Sequence, residues 1–183
     1  MFDMAIQKWL LLIYKVPPEP VRRRVAMWRR LKSMGAVYLQ DGVCIMPRND
    51  EYVRQLKMLE NEVAQMGGVA VILETVALDQ AQEDKIIARL TADRDEEYEE
   101  FIDKCSDFEA EIAKETAASH FTYAELEEND VDFKKLQTWL EKIRKLDFCG
   151  AALAAEAQRR LDACEALLDV YARRVFDAHE ENK

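Results

Sequence analysis

Arg22, Arg23, Arg29 and Arg30 recur at intervals that gather them on one side of an α-helix. Guanidinium groups clustered in this way can hold phosphates or a tetrahedral oxyanion through forked hydrogen bonds. Arg24 does not join them; it projects beside the apolar positions of the same segment, where a charged group needs a carboxylate, a carbonyl or a bound anion. Arg24→Ala is therefore expected to lower stability or ligand binding more than Arg23→Ala. Lys15, at the end of the first apolar run, and Arg48, just after the third, border the same region if the strands they end lie side by side. The plain alternative is a solvated charged face, which composition alone favours because arginine is an ordinary helix former.

Other residues with chemical potential are less well placed. His120 and His179 lie far apart with no Cys or carboxylate at ligand spacing, which fits a turn residue and a helix end better than a zinc or iron site. The acidic runs Asp93 to Glu100 and Glu125 to Asp130 lack calcium-loop spacing and its glycine, so solvated helix faces explain them. Trp9, Trp28 and Trp139 read as core anchors. Cys44, Cys105, Cys149 and Cys164 form no CxxC pair and no regular framework, so they read as buried, reduced thiols of a cytoplasmic protein. The N-terminus carries Asp3 and an apolar run broken by Lys15, and it does not resemble a signal peptide. There is no GxSxG, P-loop, GxGxxG or Ser-His-Asp order, and no cofactor or metal is expected.

Charge is distributed unevenly. The formal net charge is −10, but through Ala70 eleven basic residues face seven acidic ones, giving +4, and beyond it fifteen face twenty-nine, giving −14. An anion, if one is bound, meets the first part; the second is a solvated surface or a like-charge guard.

The elements that must position these residues follow from apolar periodicity. Trp9 to Val16 is too continuously apolar for one side to face water and too short for a membrane span, so it reads as a strand needing cover on both faces. After the extended Pro17-Pro18-Glu19-Pro20 connection, a helix runs to about Met34 and stops at Gly35, with Val21, Val25, Trp28 and Leu31 as its core stripe. Two short strands flank Asp41-Gly42, a two-residue hairpin signal. Asn49 or Asp50 caps a helix through Met66, Gly67-Gly68 ends it, and Val69 to Leu73 supplies a last strand. The succession β-α-β-β-α-β predicts an α+β protein opening with a ferredoxin-like domain over residues 1–78. Its helices share one face of the sheet, so the other face must be covered by a partner subunit or by the rest of the chain.

From Asp79 the chain becomes rich in Ala, Glu, Lys, Leu and Arg, predicting an acidic helical domain or arm over residues 79–183. One long helix is expected from Asp79 to about Ala118. A second, opened by the capping box Thr122 to Glu125, runs to about Leu146, and a third spans Ala151 to about His179. Stripes of Phe101, Ile102, Phe108 and Ile112, of Leu126, Phe133, Leu136, Leu140 and Ile143, and of Leu153, Leu161, Leu168 and Val175 predict a three-helix antiparallel bundle or long hairpin.

Several stretches carry a resemblance: Trp9 to Pro17, Arg22 to Arg24 followed by Trp28-Arg-Arg-Leu-Lys, Gly35-Ala, Gln40-Asp-Gly-Val with Pro47, Phe121-Thr-Tyr-Ala-Glu-Leu-Glu-Glu, and Asp147-Phe-Cys-Gly. Together they resemble the N-terminal region of the ChrB family of chromate-resistance regulatory proteins, over nearly the whole chain. The opening third is also similar, more diffusely, to the ferredoxin-like part of the PaaX family of transcriptional repressors. The resemblance implies a cytoplasmic regulator of a chromate-resistance operon that senses chromate and acts on DNA. Full-length ChrB proteins continue into a further C-terminal domain, so the chain is expected to act alone or with a separately encoded second half.

Two functions compete on this footing. One is a regulatory binding protein whose arginine helix, with Lys15 and Arg48, contacts DNA or a chromate-like oxyanion. The other is an interaction module that forms a homodimer or docks a separate ChrB-type C-terminal domain. No membrane partner is expected, nor an enzyme. Small CRISPR-associated nucleases share the β-α-β-β-α-β unit but, as that resemblance implies, hold a metal on an Asp at the end of the first strand, where this chain has Tyr14-Lys15-Val16.

Overall fold

The computed structural model describes residues 7–180. The chain divides after Leu90 into two compact units. The first holds β1 (Trp9–Lys15), α1 (Val21–Ser33), β2 (Val37–Gln40), β3 (Val43–Pro47), α2 (Asp50–Gln65), β4 (Val69–Thr75) and the opening turns of α3 (Gln80–Ala117). Its four strands form one sheet in the order β2-β3-β1-β4, each neighbouring pair antiparallel.

Strand alternation sorts the side chains between two unlike faces. Leu10 and Leu12 of β1, Cys44 and Met46 of β3 and, partly buried, Tyr38, Ala70 and Ile72 share one core with Met27 and Leu31 of α1 and Leu56, Leu59 and Val63 of α2. On the opposite face Trp9, Val37 and Ile45 are buried, and the Trp9 indole donates to Glu83 Oε2 at 3.0 Å. Farther along, Ile13, Val69, Val71 and Leu73 stay exposed, with Ile13 paired to Val71 and Lys15 to Val69 in register. Within the first unit, cover over this second face is thus incomplete.

Local sequence explains where the elements stop. Asn49 caps α2 by accepting from the Tyr52 amide at 2.7 Å. At the end of α1, Gly35 takes φ 74° and its amide bonds to Lys32 O, while Ala36 N reaches back to Leu31 O at 3.1 Å, the six-to-one closure of a Schellman end. Asp41-Gly42 joins β2 to β3 as expected. Gly42 has φ 70°, and a Cβ there would sit 2.4 Å from Tyr14 O, so only glycine fits.

The second unit contains the rest of α3 with α4 (Tyr123–Lys145) and α5 (Ala154–Glu180). Thr122 caps α4 through its side chain, and Asp79 caps α3 by accepting from Gln82 N at 2.9 Å. The three helices contribute to a single core around Tyr98, Phe101, Cys105, Phe133, Leu140, Cys164 and Tyr171. All the stripe residues expected on these helices are buried or packed partly buried against it. The last helix begins three residues later than its sequence predicts, because the Asp147 carboxylate accepts from the Gly150 and Ala151 amides at 2.9 Å each and holds that turn apart. Asp147 Oδ2 also accepts from the Tyr98 hydroxyl at 3.2 Å, and Asp95 Oδ1 accepts from Leu153 N at 2.9 Å, fixing the connection to α3.

Candidate functional site

Helix α1 has three sectors rather than the two expected. Met27 and Leu31, one turn apart, face the core, and Met34 just past the helix is also buried. Val21, Val25 and Trp28 were the expected core stripe together with Leu31, yet they are 52%, 37% and 47% exposed. The helix is rotated because Met27, Leu31 and Met34 make an i, i+4, i+7 row of their own, and flexible methionines fill the space over the sheet. Trp28 is consequently no core anchor, unlike Trp9, which is buried, and Trp139, whose ring meets Phe101 edge-on at 5.7 Å. The third sector is basic.

Within that basic sector the arginines fare differently. Arg22, Arg23 and Arg29 are exposed and make no ion pair among the described residues. Arg30 is tied to Glu62 of α2. Arg48 is tied twice, to Asp50 at 2.7 Å and to Glu74 at 3.2 Å, and these carboxylates raise its pKa. Glu74 also binds Lys8 at 2.7 Å, and those two hydrogen bonds hold its carboxyl below the ordinary range. The α1 N-terminus is partly satisfied already, since Glu19 Oε2 accepts from Val21 N at 3.2 Å.

Arg24 and Lys15 come together elsewhere. Both line an open groove of about 690 Å³ with Val21, Val25 and Trp28 of α1, Val16, Tyr14, Tyr38, Asp41 and Gly42. Arg24 does stand beside the apolar sector, as its position on the wheel predicts, but it is exposed and has no ion pair among the described residues. The Tyr14 and Tyr38 hydroxyls are 2.7 Å apart. Burial raises the pKa of both phenols, and the bond between them raises that of Tyr38 further, so both are neutral at physiological pH. Cys44, behind them, has its thiol pushed up to about 12 by burial. It is an inert core thiol; Cys105 and Cys164 are also buried, and Cys149 is half-buried.

Sequence periodicity thus located the basic helix but missed the groove. The available signal was the second apolar row through Met27, which competes with the row through Val25 and Trp28. Elsewhere, His120 Nδ1 lies 3.2 Å from Glu115 Oε2 and His179 Nδ1 lies 2.8 Å from Val175 O. Among the described residues, no cluster of three or more His, Cys, Asp or Glu side chains is arranged to hold a metal, and no helix is long and apolar enough to cross a membrane.

Over residues 24–182 the sequence matches the family described as Protein ChrB, N-terminal. The chain belongs to this family. The match begins inside α1, at Arg24, and runs nearly to the end of the chain. A relative, Protein ChrB of Cupriavidus metallidurans, is 27% identical over 150 residues, covering 82% of this chain and 43% of that protein. The chain therefore spans less than half the length of the ChrB relative it matches.

Proposed function

We propose that this ChrB-family chain is a regulatory protein of chromate resistance and that the basic sector of α1 contacts DNA phosphates. The observation that carries the reading is the set Arg22, Arg23 and Arg29, exposed together on one helix and without an ion pair among the described residues, whereas Arg30, Lys104, Lys134 and Lys135 each meet a carboxylate. Unpaired guanidinium groups need no carboxylate to be displaced before they meet a phosphate. Arg30 and Arg48 are held by Glu62, Asp50 and Glu74 and serve the fold more than the ligand. The platform is read as a ferredoxin-like domain, supported by the strand order β2-β3-β1-β4, followed by a three-helix bundle. The protein is read as cytoplasmic and non-enzymatic.

The test is binding of the purified chain to its own upstream promoter DNA, with and without chromate. Specific binding released by chromate is the expected result, and it would identify chromate as the signal. Absence of binding in both conditions would overturn the reading for this chain.

A second reading has its own support. The exposed apolar strip of Ile13, Val69, Val71 and Leu73 suits docking of a partner such as a ChrB-type C-terminal domain. Recovery of a complex that Val71→Asp disrupts would support it.

A further inference from the structure

We propose that the groove between α1 and the β1 and β2–β3 ends is a small-molecule site, separate from the arginine sector, for a flat apolar monoanion such as an aromatic carboxylate. Three features of its lining bear on the ligand. The first is an apolar wall that the chain leaves open: Val21, Val25 and Trp28 are each more than a third exposed, on a helix whose core-facing side is already filled by Met27 and Leu31. The exposed indole offers a stacking surface. The second is charge. Arg24 and Lys15 lie in the lining without an ion pair among the described residues, and Lys32, outside the lining, places its Nζ 5.8 Å from the Trp28 ring centre. Among the described residues Asp41 is the single carboxylate in the lining, so the local balance favours an anion and disfavours a second negative group on it. The third is a neutral polar pair, the Tyr14 and Tyr38 hydroxyls, able to orient a polar substituent without opposing the anion.

Size and lining together disfavour the simplest ligand. The groove's volume of about 690 Å³ falls within the range of small-molecule sites, roughly 300 to 1,000 Å³. A tetrahedral oxyanion would occupy a small part of it and leave the Val21, Val25 and Trp28 wall in water. A ligand with a planar hydrocarbon body and one carboxylate uses both the wall and the Arg24 fork. The assignment stands apart from the DNA reading, since it does not use Arg22, Arg23 or Arg29.

The experiment is an NMR titration of the full chain with 2-naphthoate, compared with neutral 2-naphthylmethanol and with inorganic phosphate. The expected result is saturable one-to-one binding that shifts the Trp28 indole N–H and the Val21 and Val25 methyls. Arg24→Gln and the neutral analogue should each weaken it by about ten- to a hundredfold, the range for a lost hydrogen bond to a charged group. Trp28→Ala should abolish it, and Lys57→Gln, on exposed α2, should leave it unchanged. The spectra of the variants report their folding directly. The proposal is overturned if phosphate binds as tightly as naphthoate, if Arg24→Gln binds naphthoate like the parent, or if the shifts spread equally to Val69, Val71 and Leu73. It is also overturned if the Val21 and Val25 signals move with protein concentration alone, which would assign the groove to a second copy of the chain.

Discussion

The outer surface of α1 and the surface of the helical unit are both rich in charge, yet they partner that charge to different degrees. In the helical unit, most cations meet carboxylates a turn away or across helices, among them Lys104 with Asp107, Lys114 with Glu111, Lys135 with Asp132 and Arg160 with Glu109, while Lys142, Lys145, Arg173 and Arg174 have no ion pair among the described residues. Its apolar stripes are buried against one core. On α1, Arg22, Arg23, Arg24 and Arg29 make no ion pair among the described residues, and three large apolar side chains face solvent. A surface that pairs most of its cations is explained by folding. One that does not calls for a ligand, and local rules broken at one place in an otherwise consistent chain are the mark of a functional surface.

This contrast predicts unequal responses to substitution. The largest concerns the aromatic residues. Phe101→Ala empties a fully buried position in the helical core and should cost roughly 3–5 kcal/mol. Trp28→Ala, on the open wall of α1, should cost under about 1 kcal/mol. Chemical denaturation compares them, and equal losses would mean that α1 buries its Trp28 sector after all.

Next is Asp147, whose carboxylate accepts from two amides and the Tyr98 hydroxyl. Asp147→Ala leaves these donors without their acceptor and should destabilise by roughly 1–3 kcal/mol, and the Tyr98 pKa, raised to about 12 by burial and by Asp147 together, should fall in the same variant. No substitution in the arginine sector should approach that. Arg23→Ala should fall within about 0.5 kcal/mol of the parent, and a double-mutant cycle on Arg30 and Glu62 should give a coupling of at most about 1 kcal/mol. A large stability loss in Arg23→Ala would break the comparison by revealing a structural role for the exposed arginines.

The smallest expected effect depends on pH. Lys8 and Arg48 lower the Glu74 pKa in the folded chain relative to its ordinary value of 4.5. Near that value the unfolded chain binds more protons than the folded one, so the contribution is fully present above it and is lost as pH falls through the lowered folded value. Glu74→Gln should therefore lower stability slightly at neutral pH and change it little at low pH, which flattens the acid limb of the profile. An unchanged acid limb would show that the Lys8, Glu74 and Arg48 network is not formed in solution.

Much of this architecture was legible in the residues, for physical reasons that also explain the misses. Elements bounded by strong local chemistry fell where expected: Asp41-Gly42 as a hairpin turn, Gly35 as a helix stop, and Thr122 to Glu125 as a helix start. The long helices were readable because their stripes repeat over many turns. A helix of 13 residues such as α1 offers two apolar rows of similar weight, and tertiary packing chooses between them. That choice put Met27 inside and Trp28 outside, and with it created the groove. The pairing of Arg30 with Glu62 and of Arg48 with Glu74 joins residues far apart in the chain, so neither could be read from spacing along one helix.

The central claim, that the unpaired arginines of α1 contact phosphate, is tested most directly by the salt dependence of promoter-DNA affinity. The measurement compares the parent with a variant in which Arg22, Arg23 and Arg29 are all changed to Ala. Each lost phosphate contact removes about 0.9 from the slope of log affinity against log salt, so the account predicts a slope shallower by about 2.7 and weaker binding at low salt. An identical slope and affinity in the two proteins would contradict it.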